Sequence, residues 1–255
     1  MCSSQHMDAR DALRISREAA KRVQKAILPL PLKKRAEIYG FGKSGITKFV
    51  DKVAEDAALE VLLKEKLRVL SEECGYVGEG DVFVALDPLD GTFNAVKGIP
   101  FFSVSLCFSN SEKFRDTFFA YVYNLATNEE FFADEEAFKN GEKIKVGEKE
   151  DLSEMDAIYY YPKKEMPFKR IRIFGSAALE TCLVAEGAFD CFIDVRGMLR
   201  IFDVSAGIYI AEKAGAIAVD EKGNPLGEKK FEISERLNVV LSNKLAIKKL
   251  LEMVL

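Results

Sequence analysis

The chain has 255 residues, of which 48% are hydrophobic and 31% are charged, and its net charge is -4 at pH 7. This composition is typical of a folded globular protein with a large core, and it excludes an intrinsically disordered chain. Acidic and basic residues are interleaved, so no basic surface for nucleic acid is predicted. No apolar run is long enough to span a membrane and no signal peptide is visible, which predicts a cytoplasmic protein without a membrane partner.

The rarest residue types narrow the chemistry. The single histidine, His6, lies in a polar leader, and its His6-Met7 pair resembles a cloning remnant. Mechanisms that need a catalytic or metal-binding histidine are therefore disfavoured. The five cysteines include no C-x-x-C pair, which argues against a zinc site and a secreted disulfide framework. Cys182 and Cys191 flank one predicted turn, where two buried thiols are the simpler interpretation and a disulfide is the alternative.

The N-terminal part of the chain is predicted as two helices separated by a glycine-rich loop. Residues 8–27 carry apolar side chains at helical spacing, and Pro29 and Pro31 end that helix. The loop over residues 40–45 contains Gly-Lys-Ser-Gly without the Walker A spacing, so we interpret it as a mobile lid. The second helix is predicted over residues 47–66, with Asp51 outside its apolar face.

The middle of the chain predicts an antiparallel sheet. Residues 82–86 form an apolar run typical of a buried strand. Residues 102–109 alternate apolar and polar side chains, which predicts a strand buried on one face. Residues 118–123 and 130–133 continue the sheet, and Asn140-Gly141 predicts a hairpin turn.

The charged stretch over residues 147–154 is the predicted boundary between two domains, residues 7–150 and residues 151–255. Beyond it strands and helices alternate, whereas strands dominate before it. The order predicts an α+β half followed by an α/β half. The predicted C-terminal elements are strands at 171–174, 189–195, 217–219 and 237–241 and helices at 176–186, 203–214 and 245–255.

The segment Asp87-Pro88-Leu89-Asp90-Gly91-Thr92 carries the most chemical information. Asp, Pro and Gly are the commonest turn residues, so an ordinary turn is one interpretation. The alternative is functional, because two carboxylates beside the backbone N–H groups of a starting helix can hold a divalent cation next to a phosphate. In the company of further carboxylates, the segment predicts metal-dependent phosphoryl chemistry.

Three acidic residues elsewhere are unremarkable when each is taken alone. Glu72 would be solvated surface, Asp203 would cap a helix, and Asp51 would lie on an exposed helix face. In sequence order, however, Glu72, Asp-Pro-Leu-Asp-Gly-Thr and Asp203-Val-Ser-Ala-Gly resemble the two signatures of the inositol monophosphatase family. The resemblance covers nearly the whole chain from Asp8. It is closest to archaeal members that act on both inositol monophosphate and fructose 1,6-bisphosphate. The family usually has Trp-Asp where this chain has Phe202-Asp203, a departure that concerns substrate shape more than metal binding.

The resemblance implies a layered αβαβα sandwich of the sugar phosphatase type, with the active site between the two halves, and a homodimer. It also implies two or three Mg²⁺ ions, for which Mn²⁺ can substitute, as suits all-oxygen ligation. Glu72, Asp87 and the carbonyl of Leu89 would hold the first ion, and Asp87, Asp90 and Asp203 the second. A third ion would lie near Asp51 and Glu72. The catalytic candidates are Asp51, Glu72 and Thr92, with Thr92 and Asp51 resembling the family pair that accepts the proton of the attacking water.

The position seven residues before Asp203 bears on the substrate, because inositol phosphatases of the family tend to have a glutamate there. This chain has Arg196. The planar fork of an arginine bonds phosphate oxygens in pairs, which favours a second phosphate over a sugar hydroxyl. The predicted substrate contacts are Asp90, Gly91, Thr92, Tyr160, Arg172, Gly175, Ser176, Ala177, Arg196 and Arg200.

The leading prediction is therefore a Mg²⁺-dependent phosphomonoesterase whose partners are small phosphate esters, inositol monophosphate and fructose 1,6-bisphosphate. The alternative keeps the metals and takes a nucleotide, either adenosine 3′,5′-bisphosphate or NADP, but no sequence feature supplies a pocket for a flat base. A non-catalytic metal-binding module on the same fold would predict damage to Asp51, Glu72 or Thr92, and all three are present.

Overall fold

The computed structural model describes residues 7–43 and 45–254. His6, with its proposed cloning origin, and Ser44 of the glycine-rich segment lie outside the described residues. The α-helices of the described chain are α1 (Ala9–Ile27), α2 (Leu32–Arg35), α3 (Phe49–Leu62), α4 (Thr92–Lys97), α5 (Ala177–Ala185), α6 (Ile201–Lys213) and α7 (Ile247–Val254). The strands are β1 (Ile38–Gly42), β2 (Gly45–Lys48), β3 (Arg68–Ser71), β4 (Gly75–Val77), β5 (Phe83–Asp90), β6 (Ser103–Ser109), β7 (Thr117–Asn124), β8 (Glu130–Ala133), β9 (Ala137–Lys139), β10 (Glu142–Lys143), β11 (Asp156–Tyr159), β12 (Arg170–Arg172), β13 (Cys191–Arg200), β14 (Ala216–Val219) and β15 (Arg236–Asn243).

The strands form two large sheets and one hairpin. The first sheet has the order β10-β9-β8-β7-β6-β5-β3-β4, in which β3 and β5 are parallel and the other neighbours are antiparallel. The second sheet has the order β12-β11-β13-β15-β14 and mixes parallel with antiparallel pairs. The first sheet ends at β10 and the second begins at β11, on either side of residues 147–154. The domain boundary at that stretch stays a prediction.

Helix α1 illustrates how the local sequence starts an element and buries one face of it. Asp8 caps the helix, because its carboxylate accepts hydrogen bonds from the backbone N–H groups of Arg10 and Asp11. Ile15 and Val23 lie on the buried side and are fully shielded from solvent. The predicted helix over residues 8–27 is thereby confirmed within one residue.

The helices and sheets stack in five layers. Helices α1 and α3 pack together and cover one face of the first sheet, while α5 and α6 lie between its other face and the second sheet. Helix α7 covers the outer face of the second sheet. This is the predicted αβαβα sandwich, and each interface buries apolar side chains because a sheet face or a helix stripe cannot stay exposed to water.

The burial of two segments differs from the prediction. Strand β6 was expected to have one solvated face, but all its residues are buried, because it lies between β5 and β7 with helices on both faces. On α3, Asp51 was expected outside the buried face, but it is only 6% exposed. The Asp51 carboxylate is tolerated there because it accepts hydrogen bonds from the Lys48 N–H and the Thr92 hydroxyl.

Several elements escaped the sequence prediction. The segment expected as a glycine-rich loop is mostly a β-hairpin, β1–β2, and the short strands β4 and β11 were missed. The Asn140-Gly141 turn is confirmed: both residues have positive φ, 50° and 84°, and connect β9 to β10. Cys182 and Cys191 are buried free thiols, as in the simpler of the two interpretations. Within the described residues, no helix combines the length and apolarity needed to cross a bilayer.

Candidate active site

The Asp87–Thr92 segment lies at the end of the buried strand β5 and leads into α4. The register of β5 against β6 shifts between Asp87 and Asp90, so the two carboxylates are separated by an irregular step in the strand. The Leu89 N–H donates to the Asp87 carboxylate at 3.0 Å, which fixes this step. Gly91 follows with φ 87°, and a Cβ there would lie 3.1 Å from the carbonyl oxygens of Phe101 and Gly175. Only glycine satisfies both constraints.

Thr92 and Asp51 meet at the start of α4. The Thr92 hydroxyl lies 2.8 Å from the Asp51 carboxylate and 3.2 Å from the Leu89 carbonyl, and it donates its one proton to either acceptor. The other Asp51 oxygen accepts from the Lys48 N–H at 2.9 Å, which orients the carboxylate at the first turn of α3. The two catalytic candidates are therefore in direct contact. Asp51 is buried because it faces this site.

Glu72 and Asp203 come together through Arg200. The Arg200 guanidinium contacts the Glu72 carboxylate at 2.5 Å and an Asp203 oxygen at 3.3 Å. The Arg200 backbone N–H donates to the other Asp203 oxygen at 2.8 Å. The sequence predicted that α6 would start at Asp203; it starts at Ile201, and Asp203 is the third residue of the helix. The acidic side chain still caps the helix end, but from inside its first turn.

The carboxylates of Glu72, Asp87, Asp90 and Asp203 form one cluster, in which Asp87 and Asp90 are buried and Glu72 and Asp203 are half-buried. Burial, followed by repulsion from Glu72, Asp90 and Asp203, raises the pKa of Asp87 well above its usual range. Burial also raises the pKa of Glu72 to about 8 and that of Asp90 to about 7, and it raises the pKa of Asp203. Arg200 offsets part of this negative charge. The cluster is thus short of positive charge.

That shortage fits the divalent cations implied by the family resemblance. The donors are all oxygen atoms, as Mg²⁺ and Mn²⁺ prefer. One oxygen of Asp203 is buried and accepts no hydrogen bond, although the Arg200 guanidinium lies 3.3 Å from it. Among the described residues, no three Asp, Glu, Cys or His side chains already enclose a point as metal ligands would. Two of the four carboxylates, Glu72 and Asp203, instead contact the guanidinium of Arg200. The residue types therefore fit a divalent cation, and the four carboxylates would have to move closer together to bind it.

The start of α5 lies against the carboxylate of Asp90. Asp90 accepts hydrogen bonds from the Ser176 hydroxyl at 2.5 Å and from the Ala178 N–H at 2.8 Å. The side chain of Asn94 in α4 donates to the carbonyls of Phe101 and Phe174, at 2.7 Å each. It therefore joins the two halves of the chain beside Gly91. Ser176 and Gly175, predicted to line the substrate pocket, lie at this junction.

The predicted substrate-binding arginines occupy different settings. Arg196 makes a two-pronged ion pair with Asp194, at 2.8 and 2.6 Å, and its guanidinium lies 4.5 Å from the ring centre of Tyr160. Arg200 lies within the carboxylate cluster described above. Arg172 is exposed and donates to the carbonyl of Ile171 at 2.8 Å. The structure thus brings Arg196 and Tyr160 together.

Two further buried acids, Glu180 and Asp194, were missed by sequence reasoning. The Tyr160 hydroxyl, predicted to bond the substrate, donates to Glu180 at 2.5 Å. Glu180 is the one charged residue in the apolar helix α5, and that mismatch was a readable signal. Asp194 follows the apolar residues 191–193, and nothing in its sequence context indicated a functional role.

The β1–β2 hairpin is fastened to the segment after β3. The Lys43 N–H donates to the Glu73 carbonyl at 3.0 Å, and the Thr47 hydroxyl donates to the Glu73 carboxylate. A Cβ at Gly42 would overlap the Glu73 carboxylate and the Thr47 hydroxyl, so a larger residue there would displace this hydrogen-bonded pair. The hairpin therefore borders the site beside Glu72, and its role as a lid stays a prediction.

The sequence and the fold were compared with those of known proteins. The model of the inositol monophosphatase family matches residues 10–254. The chain is 58% identical over 251 residues to the fructose-1,6-bisphosphatase/inositol-1-monophosphatase of Archaeoglobus fulgidus, covering 97% of this chain and 100% of the relative. A solved structure from Pyrococcus horikoshii, a hypothetical protein with similarities to inositol-1 monophosphatase, superposes with a TM-score of 0.87 at 30% identity, covering 97% and 99% of the two chains.

A more distant relative differs in its name. The bifunctional NADP phosphatase/NAD kinase of Methanococcus maripaludis is 31% identical over 94% of this chain, which spans 48% of that longer protein. The identity is far lower than to the Archaeoglobus fulgidus protein. On the family match and these identities, the chain belongs to the inositol monophosphatase family.

Proposed function

We propose that this protein is a Mg²⁺-dependent phosphomonoesterase that hydrolyses inositol monophosphate and fructose 1,6-bisphosphate. One observation carries the proposal: the Thr92–Asp51 hydrogen bond lies next to a cluster of four carboxylates whose negative charge Arg200 offsets only in part. The 58% identity to a relative named for both activities supports the choice of substrates.

The carboxylate cluster is proposed to hold the metal ions. Glu72, Asp87 and the Leu89 carbonyl would bind one ion, and Asp87, Asp90 and Asp203 would bind another, with a third near Asp51 and Glu72. When bound, these ions would activate a water molecule and neutralise the charge that develops on the phosphoryl oxygens. The buried carboxylates supply this function only when cations replace the protons that their raised pKa values favour.

The remaining residues act on the water and the substrate directly. Thr92 and Asp51 form a relay: as Thr92 accepts the proton of the attacking water at its hydroxyl oxygen, it passes its own proton to Asp51. Gly91 and Thr92 present backbone N–H groups to the phosphate. Arg196 is proposed to hold the second phosphate of a bisphosphate, since the guanidinium matches phosphate geometry.

A comparison of phosphate esters tests the choice of substrate. Activity on adenosine 3′,5′-bisphosphate or NADP is the alternative, and its support is the distant relative with NADP phosphatase in its name. Phosphate release with Mg²⁺ from fructose 1,6-bisphosphate, inositol 1-phosphate, adenosine 3′,5′-bisphosphate and NADP separates the two. Release from the nucleotides alone would keep the metal site and overturn the sugar-phosphate assignment. A homodimer and a cytoplasmic location are further parts of the proposal, testable by light scattering and by cell fractionation.

A further inference from the structure

Glu180 is a buried carboxylate that connects Tyr160 to the turn at Phe174 and Gly175. Its side chain is fully shielded from solvent. One oxygen accepts hydrogen bonds from the Phe174 N–H at 2.5 Å and the Gly175 N–H at 3.1 Å, and the other accepts from the Tyr160 hydroxyl at 2.5 Å. All three donors are neutral groups. An acid buried without a cation is costly for a fold, so its presence in the apolar helix α5 calls for a reason.

One branch of this network leads to Arg196. The Tyr160 ring, oriented by its bond to Glu180, packs against the Arg196 guanidinium at 4.5 Å. Asp194 holds the same guanidinium from its edge through two hydrogen bonds. The Tyr160 ring, the Tyr161 ring at 5.3 Å and the two hydrogen bonds to Asp194 together restrict the rotation of the Arg196 guanidinium. Glu180 thereby sets the position of Arg196 without touching it.

The other branch leads to the phosphate end of the site. Glu180 holds the N–H groups of Phe174 and Gly175, while Asn94 holds the Phe174 carbonyl. The Gly175 carbonyl then packs against Gly91 so closely that a Cβ there would lie 3.1 Å away. The next residue in the turn, Ser176, donates to the carboxylate of Asp90. The position of this turn is therefore tied to both ends of the proposed substrate.

We propose that Glu180 is a positioning residue that fixes the distance between Arg196 and the Gly91 phosphate site, and so sets the preference for bisphosphate over monophosphate esters. The inference rests on the proposed function, in which Arg196 holds the second phosphate. It assigns Tyr160 a supporting role in place of a direct hydrogen bond to substrate. Both branches contribute, because the distance depends on the positions of Arg196 and of the turn at Gly175. Removal of the Tyr160 hydroxyl would free only Arg196, whereas removal of the Glu180 carboxylate would free the turn at Gly175 as well.

The test compares kinetic constants for fructose 1,6-bisphosphate and inositol 1-phosphate in three single variants. Tyr160→Phe keeps the ring and removes the hydroxyl, and it is expected to raise KM for the bisphosphate about tenfold, against less than about threefold for the monophosphate. Glu180→Gln is expected to lower kcat for both substrates about tenfold in addition, because the turn beside Gly91 is released. Tyr159→Phe, on a neighbouring buried tyrosine that packs in the outer core, is the matched control and leaves both KM values as in the wild type.

A double-mutant cycle separates positioning from general loosening of the fold. In an Arg196→Gln background, Tyr160→Phe is expected to add less than about twofold to the bisphosphate KM, because its effect passes through Arg196. Equal changes for both substrates, or an undiminished Tyr160→Phe effect without Arg196, would overturn the inference while the proposed function stands. Failure of the wild type to hydrolyse either ester would overturn the proposed function, and the inference with it.

Discussion

The Thr92 hydroxyl donates a hydrogen bond to the Asp51 carboxylate over 2.8 Å, although the two residues are 41 positions apart in the chain. The contact joins the first turn of α3 to the first turn of α4, beside the carboxylates that end β5. It connects a proton acceptor to the place where the account puts the attacking water. Removal of either partner therefore tests the chemical step itself.

Thr92→Ala and Asp51→Asn are each expected to lower kcat by about 10²- to 10⁴-fold, the usual contribution of positioned proton transfer. KM should change little, because neither group provides most of the substrate binding energy. Steady-state phosphate release measures both constants. Thr92→Ser keeps the hydroxyl and should retain most of the activity; a serine variant as slow as the alanine variant would argue against the relay.

Mg²⁺ is expected to stabilise the folded protein, and Asp87 is the most informative residue for testing this. In the metal-free wild type, buried Asp87 suffers repulsion from three other carboxylates. Asp87→Asn should therefore raise the metal-free Tm, whereas saturating Mg²⁺, worth about 2.7 kcal/mol at 100 times Kd, should stabilise only the wild type. Calorimetry with and without Mg²⁺ provides the comparison.

The control for the metal experiment is Asp56→Asn, which removes an exposed aspartate of α3 that pairs with Lys52. This variant should respond to Mg²⁺ like the wild type. A Mg²⁺-induced rise in Tm that survives Asp87→Asn would place the cation elsewhere on the protein.

Gly91→Ala is expected to impair both stability and activity. The new methyl group would meet two carbonyl oxygens at 3.1 Å, and the residue would remain at φ 87°, a conformation that costs about 1–3 kcal/mol for side chains other than glycine. Gly141→Ala is the matched control, because φ there is 84° but the methyl group would meet nothing within 4 Å. Both variants should lose stability in urea unfolding, and only Gly91→Ala should lose more than about tenfold in kcat. Equal activity in the two would contradict the role of the Gly91 turn.

Arg196 contributes to stability as well as to the proposed selectivity. Its removal strands the fully buried Asp194, so Arg196→Gln is expected to cost about 1–3 kcal/mol, less than for a fully buried pair because the arginine is partly exposed. Adding Asp194→Asn should recover much of that stability but not the low KM for fructose 1,6-bisphosphate. If the double variant regained bisphosphate binding, Arg196 would be a structural residue only.

The stability of the protein should depend on pH through Glu180. Burial raises the pKa of Glu180 from 4.5 to about 7, with nearby Asp194 adding repulsion and the Tyr160 hydroxyl opposing the rise. The pKa of Glu180 is higher in the folded state than in the unfolded state. The stabilisation that its protonated side chain gives the fold is therefore complete below pH 4.5 and is lost as the pH rises through about 7. The difference in unfolding free energy between wild type and Glu180→Gln should therefore fall by on the order of 2 kcal/mol from about pH 5 to about pH 8. Urea titrations at both pH values measure it, and a constant difference would contradict the assignment.

Elements with local sequence signals were predicted well, and elements whose burial depends on distant parts of the chain were not. Helix α1 was predicted almost to the residue, because its cap and its apolar spacing are both local. The burial of β6 on both faces was not, since its serines read as solvent-facing until α5 and α6 cover that side. The β1–β2 hairpin was missed because glycines obscure the alternation that identifies strands.

The candidate site shows the same division. Asp87, Asp90 and Thr92 lie within one short motif, so the sequence revealed them directly. Glu180 and Asn94 gain their importance from partners far along the chain, such as Tyr160 and Phe101, and sequence spacing does not disclose those contacts.

The most direct test of the account is phosphate release from fructose 1,6-bisphosphate and inositol 1-phosphate by the wild type and Asp87→Asn, with Mg²⁺ and with EDTA. The wild type with Mg²⁺ should hydrolyse both esters, and activity should be lost in EDTA and in Asp87→Asn. Undiminished hydrolysis by Asp87→Asn, or by the wild type in EDTA, would contradict metal-dependent catalysis at this cluster.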